Sequence, residues 1–156
     1  MAISLQMQKR LDKIQALIDQ GYTLEKSYGF PVLKTSEGKA KPVGGFKAPT
    51  GFSWIAAFFP YAVCTQIREW SYFYITGIFF IAISIASAIF KIDTSTSGSA
   101  GILGVIYGFN YPYLRYLSSK KGTEEIPVLA SIVLGVVLLI ACVIPSIIIN
   151  VVVGIS

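Results

Sequence analysis

No charged side chain occurs in residues 126–156, which read IPVLASIVLGVVLLIACVIPSIIINVVVGIS. A transmembrane helix needs about 20 consecutive apolar residues, so this run of 31 is long enough to cross a bilayer. Residues 71–90 form a second run of full length, and residues 100–117 form a slightly shorter third one. The three runs predict an all-α membrane protein with three transmembrane helices. A kink is expected at Pro145, because the last run exceeds a hydrocarbon core of roughly 30 Å.

Residues 52–67, FSWIAAFFPYAVCTQI, are also apolar, but this segment is only sixteen residues long and has Pro60 in its middle. It is short for a spanning helix, and proline interrupts helical hydrogen bonding. A short span, a re-entrant hairpin and an interfacial helix are all compatible with this pattern.

The distribution of basic residues separates these alternatives, because cytoplasmic segments of membrane proteins carry an excess of Lys and Arg. If residues 52–67 do not cross, twelve basic residues lie inside and only Lys91 lies outside. If they cross, nine lie inside and four outside. The sharper asymmetry predicts three spans, a half-inserted or re-entrant helical element at 52–67, a cytoplasmic N-terminus and an external C-terminus.

Charge is scarce and concentrated near the N-terminus. Charged residues make up 13% of the chain, against about 25% in soluble domains. Residues 1–51 hold eight basic and four acidic side chains, a net charge of +4. We interpret them as a cytoplasmic basic arm beside anionic lipid. Nucleic-acid binding is not expected, because the basic residues are spread out and interrupted by acids.

The residue types present exclude several classes of site. The chain has no histidine, which removes His-ligated haem, His-containing zinc sites and the Ser-His-Asp triad. Cys64 and Cys142 lie in different apolar segments and form no CxxC motif, so no metal site is predicted. Away from their ends, the spans lack the charged residues on which proton relays and ion-coupled transport depend. We predict no enzymatic activity and no cofactor, with bound lipid expected.

Residues 3–19 are predicted to form an amphipathic helix. Met7, Leu11, Ile14 and Ile18 follow helical spacing and share one apolar face. This face would contact the membrane surface, a partner helix or the rest of its own arm.

Residues 21–51 contain six glycines and three prolines, a composition that forbids a long helix. The segment is interpreted as a Gly/Pro linker. It has room for one short strand pair around Gly29, Phe30 and Pro31, and the remainder would be ordered only by contact with another molecule.

Small residues at i, i+4 spacing mark the predicted contact faces of the three spans. In lipid, such residues let helix backbones approach closely. They would serve packing of the three helices against one another or contacts with further subunits. The pairs are Gly104 and Gly108, Ala82 and Ala86, and Ser131 and Gly135.

Residues 108–113, GFNYPY, contain the most unusual pattern of the spans. Pro112 cannot donate a hydrogen bond to the carbonyl of Gly108, so a kink is expected there. Asn110 lies near the membrane surface and needs a partner. Either Asn110 and Tyr111 line a polar binding notch, or Asn110 bonds a freed carbonyl or a neighbouring helix.

Two passages resemble small bacterial membrane proteins of the DUF2628 type. FSWIAAFFP at 52–60 is similar to their N-W-x-A-F-F-F-G-P segment, and YGFNYPYLRY at 107–116 is similar to their A-N-x-x-Y-x-x-H segment. The resemblance covers residues 52–116 and departs from the family pattern at Ser53, at Phe59 and in the missing histidine. It implies a bacterial inner-membrane or other internal-membrane protein. It implies no mechanism, since the family has no assigned activity.

The sequence contains features typical of interaction surfaces, namely an amphipathic helix, a linker and small-residue helix faces. It contains no group of residues typical of an active site. We therefore predict a non-enzymatic accessory, anchoring or scaffold subunit of a larger membrane complex, which contacts the lipid bilayer and either other membrane subunits or further copies of itself. One alternative is a small oligomeric channel or transporter whose path is lined by Asn110 and the Pro112 kink. Another is a lipid- or pigment-binding membrane protein.

Overall fold

The chain is mostly helical in its computed structural model, which describes residues 4–35, 37–43, 48, 50–91 and 96–153. A small α/β unit precedes a bundle of helices. In chain order the elements are α1 (Leu5–Asp19), β1 (Thr23–Ser27), β2 (Phe30–Lys34), β3 (Ala40–Pro42), α2 (Trp54–Phe58), α3 (Pro60–Gln66), α4 (Ser71–Phe90), α5 (Thr96–Lys120) and α6 (Val128–Val153).

Two of the described helices are long and apolar enough to cross a membrane, α4 and most of α6. Only 22% of the apolar window in α4 and 17% of that in α6 are buried within the chain. A core helix of a soluble protein would be mostly buried, so both are candidate membrane spans. Helix α6 starts at Val128 rather than at residue 126, because Pro127 disfavours helical backbone at Ile126, whose N–H donates to the Gln66 carbonyl (2.9 Å). Residues 154–156 of the predicted span lie outside the described residues.

Helix α5 contains the predicted span 100–117 but is not one of these two candidates. Its second half carries Asn110, Arg115 and several tyrosines, which lower its hydropathy. Residues 107–114 are buried inside the chain. The helix continues through Pro112, as α6 continues through Pro145. The second half of α5 is therefore interior, where α1, α2, α4 and β2 contact the helix, while α6 packs on α3 and α4.

The prediction of an all-α chain is wrong in the N-terminal region, where the interpretation of residues 21–51 as a linker also fails. Strands β1, β2 and β3 form an antiparallel sheet in that order, with Leu24 opposite Leu33. The predicted strand pair is confirmed, and β3 joins it. Tyr28 and Gly29 both have positive φ, at 49° and 87°, which suits the tight two-residue turns of β-hairpins. Residues 44–47 of the predicted linker lie outside the described part.

Helix α1 packs against α5 and so covers its own apolar face. Ser4 caps the helix by accepting a hydrogen bond from the Met7 N–H (3.3 Å). Met7, Leu11 and Ile14 are buried, and Ile18 is half-buried. This apolar face, predicted to contact either the membrane, a partner or its own arm, contacts its own chain. We call α1 and the three strands the α1–sheet unit.

Candidate functional site

Helices α2 and α3 form a helical hairpin, residues 54–66, which is the candidate functional site. The two helices are separated at Phe59, whose φ of −124° and ψ of 52° are not helical. Pro60 begins α3, a position where its missing N–H costs no helical hydrogen bond. The sixteen-residue apolar segment is thus two short helices joined by a sharp turn.

The first arm of the hairpin lies against α5. The Ser53 N–H donates to the Gly108 carbonyl (3.0 Å), which is the carbonyl that Pro112 leaves without a helical donor. One helical turn away, a Cβ placed on Gly104 would lie 2.5 Å from the Ala57 carbonyl oxygen. Residue numbers rise along one helix as they fall along the other, so α2 runs antiparallel to α5.

The second arm of the hairpin lies against α6. Thr65 Oγ1 donates to the Ser131 carbonyl (2.9 Å). A Cβ on Gly135 would lie 2.7 Å from the Ala62 nitrogen. These contacts make α3 antiparallel to α6. The chain therefore runs antiparallel to α5, turns at residues 58–60 and then runs antiparallel to α6.

The tip and outer side of the hairpin expose a cluster of large apolar side chains. Trp54 and Ile55 are 67% and 69% exposed, and Phe58 and Phe59 are 71% and 65% exposed. Trp54 and Phe58 stack with ring centroids 5.9 Å apart. An exposed apolar cluster of this kind marks a surface that contacts protein or membrane.

The predicted helix-packing residues divide into two groups. Gly104, Gly108, Ser131 and Gly135 are buried at the hairpin, so their contact is with α2 and α3 rather than with another span. Ala82 and Ala86 are exposed on α4. The small residues predict that another element packs closely on these helices. They do not identify that element, because the two hairpin helices are too short to be predicted as packing elements.

Of the two residues of the predicted polar notch, Asn110 lines a small, mostly apolar cavity, and Tyr111 does not line it. Asn110 is buried and its Nδ2 donates to the Ile106 carbonyl (3.0 Å), while the freed Gly108 carbonyl is bonded by Ser53. A cavity of about 20 Å³ beside Asn110 and Tyr107 is covered by the turn at Gly29. Such a volume is close to that of one water molecule.

Arg115 and Glu125 form an ion pair that sequence reasoning missed. Arg115 Nη2 lies 2.5 Å from Glu125 Oε1, and Arg115 Nη1 donates to Tyr111 Oη (2.9 Å). In the sequence, Arg115 contributes only to the count of basic residues on the predicted cytoplasmic side. The pairing depends on how the chain turns after α5, which no local pattern reports.

Glu69 joins the sheet to the start of α4. It forms an ion pair with Lys26 of β1 and accepts a hydrogen bond from the Ser71 N–H (3.0 Å). Burial by itself raises the pKa of the Glu69 carboxyl, but the hydrogen bonds from Lys26 and Ser71 outweigh burial and lower this pKa below its usual value. The carboxylate therefore stays ionised and holds the sheet against the bundle.

Acidification is expected to weaken this attachment. A carboxyl whose pKa is lowered by folding contributes stability that is fully present above the unfolded pKa, about 4.3. That contribution is lost as the pH falls through the lower folded value. We expect Glu69→Gln to reduce the loss of thermal stability between neutral pH and about pH 3. Glu25→Gln is the control, because Glu25 is paired with Lys34 in a largely exposed position. Equal pH profiles for both variants would contradict this role of Glu69.

Comparisons with family models, curated proteins and solved structures find no match to this chain.

Proposed function

We propose that this chain is a non-enzymatic accessory or anchoring subunit of a larger membrane protein assembly. One observation carries the proposal: the α1–sheet unit is docked by buried side chains onto α5, the same helix that supports the hairpin. A folded cytoplasmic module is then held against a membrane bundle by direct side-chain contacts. Such coupling suits a protein that holds a partner at a fixed position and orientation relative to the bilayer.

The docking contacts are specific as well as apolar. Arg10 Nη2 donates to the Phe52 carbonyl (2.8 Å), where the chain enters the hairpin. Tyr116 Oη of α5 donates to Gln15 Oε1 of α1 (2.5 Å). The turn at Gly29 packs on α4, since a Cβ there would lie 2.9 Å from Ile75 Cδ1. Three separate attachments oppose rotation of the unit on the bundle.

In this arrangement α4, α5 and α6 cross the membrane and the hairpin is re-entrant from the cytoplasmic side. Twelve basic residues then lie inside and Lys91 lies outside. Gly135, which contacts the hairpin near its turn, is seven residues into α6, or about 10 Å along its axis. The aromatic tip would then lie in hydrocarbon, which accounts for its exposure. A bacterial internal membrane is the proposed location.

Copurification tests the proposal with a matched pair of variants in α1. The full chain carries an affinity tag and is extracted from its native membrane in mild detergent. We expect other subunits to copurify at fixed stoichiometry. Ile14→Asp, which places a charge at a fully buried position, should undock the unit and lose them. Ala16→Asp makes the same change at an exposed position of the same helix and should retain them.

Two outcomes would contradict the accessory role. If the chain purifies alone or as a homogeneous homo-oligomer, the proposal is wrong, and flux through proteoliposomes should be measured with Asn110 as the first residue to change. If Ile14→Asp remains membrane-integrated and keeps every partner, the docked unit does not organise the assembly. Membrane integration of each variant is checked by resistance to alkaline extraction.

A further inference from the structure

An open apolar groove runs between the hairpin and α6. Its volume is about 400 Å³, and its walls include Phe59, Ile132 and Val136. Of its polar lining residues, Ser131 and Tyr61 are already satisfied, because their hydroxyls donate to the Val128 carbonyl (2.8 Å) and to Thr76 Oγ1 (2.9 Å). Gln66 lies at the end where α3 finishes. The groove is therefore apolar toward the hairpin tip and polar only toward the cytoplasmic end.

A second cavity, of about 380 Å³, lies just beyond that end and is lined by cationic side chains. The two carboxylates in its wall, Glu25 and Glu69, are each paired with a lysine. Arg68 and Lys121 also line it and are exposed. Neither forms an ion pair within the part of the chain that the structure describes. The cavity thus presents two uncompensated positive charges.

Arg68 is held toward this cavity by an unusual backbone. Its φ is 53°, in the left-handed region that glycine normally occupies after a helix. The Glu69 N–H donates to the Cys64 carbonyl (2.8 Å), and the Arg68 N–H donates to the Thr65 carbonyl (3.0 Å), so the position is a fully formed helix cap. Arginine here is strained where glycine would not be, and strain of this kind is concentrated at functional sites.

The groove and the basic cavity are neighbours at the end of α3, and no residue lines both of them. Gln66 lines the groove, and Arg68 lines the cavity two residues later. On the α6 side, Val128 lines the groove and Thr123 lines the cavity. An apolar slot at membrane depth that leads to cations at the surface matches the polarity of a phospholipid. We propose that the chain binds one anionic phospholipid, with an acyl chain in the groove and the phosphate at Arg68 and Lys121.

Native mass spectrometry of the purified full chain in detergent tests the headgroup site. Phosphatidylglycerol and phosphatidylcholine with identical acyl chains are the two probes. A basic side chain near anionic lipid strengthens binding roughly fivefold, so Arg68→Gln with Lys121→Gln should weaken phosphatidylglycerol binding about 30-fold. Phosphatidylcholine binding should weaken much less, because its choline cation offsets the charge of its phosphate. Lys13→Gln with Lys91→Gln removes the same charge from exposed positions elsewhere and should affect neither lipid.

The groove has its own matched pair of variants on α6. Val136 lines the groove and is 52% exposed, while Val137 is 55% exposed and does not line it. Val136→Trp should fill the slot and weaken binding of both lipids, whereas Val137→Trp should not. Arg68→Gly should change stability and lipid affinity in opposite directions. It should relieve backbone strain and leave the fold at least as stable, yet weaken phosphatidylglycerol binding.

Other outcomes would overturn the proposal. Equal affinity of the unmodified chain for both lipids would show that there is no anionic headgroup site. Inorganic phosphate that competes fully, with no effect of Val136→Trp, would show a free-anion pocket instead. The inference uses the membrane placement proposed above, but lipid binding is measured on the isolated chain. It can fail while partner subunits still copurify, and it can succeed when none do.

Discussion

Gly104→Ala is expected to destabilise the chain by about 2 kcal/mol, although alanine is the better helix former. The new Cβ would lie 2.5 Å from the Ala57 carbonyl oxygen, which is a backbone atom that cannot rotate away. Overpacking of this kind costs up to about 3 kcal/mol, and the gain in helix propensity returns about 1 kcal/mol. The hairpin would have to move off α5, and the hydrogen bond from Ser53 to the Gly108 carbonyl would lengthen. Thermal unfolding in detergent, followed by circular dichroism, measures the effect.

Gly101→Ala is the control for this prediction, since it makes the same change one turn away on the same helix. Apart from its chain neighbours and its own helix backbone, no atom of the part of the chain that the structure describes lies within 4 Å of a Cβ placed at Gly101. The substitution should therefore stabilise the chain by up to about 1 kcal/mol through helix propensity alone. Opposite signs for the two variants are the expected result. If Gly104→Ala behaves like Gly101→Ala, the hairpin is not packed against α5 as described.

The apolar helices were predictable because a long run without charge has few alternative structures. Residues 71–90 coincide with α4, and α6 begins two residues inside the predicted run. The start differs because Pro127 disfavours helical backbone at Ile126, and the Ile126 N–H instead bonds the Gln66 carbonyl, 60 residues away in sequence. Composition therefore predicts where a candidate span lies, while its ends depend on individual residues such as proline and on their tertiary contacts.

Contact partners were much less predictable than contact faces. The spacing of Leu11 and Ile14 indicates that one side of α1 is covered, but not that α5 covers it. The two glycines of α5 likewise indicate that another element approaches closely. That element is a hairpin of two helices, each shorter than two helical turns. The sheet was under-predicted because glycine and proline disfavour helices without excluding short strands, and Pro31 and Pro42 are both accommodated within strands.

Arg115→Met is expected to destabilise the chain by about 2–3 kcal/mol. The Arg115 side chain is 12% exposed and pairs with Glu125, which is 26% exposed. Removing one partner of a buried ion pair costs about 3–5 kcal/mol, since the other charge is left without compensation. The expected loss is smaller here because Glu125 keeps some access to water. Tyr111 Oη would lose its donor as well, which loosens the contact between α5 and the start of α6.

Two further variants separate the ion pair from simple loss of a cation. Lys120→Met removes an exposed positive charge from the same helix and should cost no more than about 0.5 kcal/mol. Glu125→Gln combined with Arg115→Met should be more stable than Arg115→Met alone, because no buried charge then remains unpaired. Unfolding in the same detergent measures all three. Equal stability of Arg115→Met and Lys120→Met would mean that the pair contributes nothing. A double variant as unstable as Arg115→Met would assign the loss to packing of the arginine stem rather than to charge.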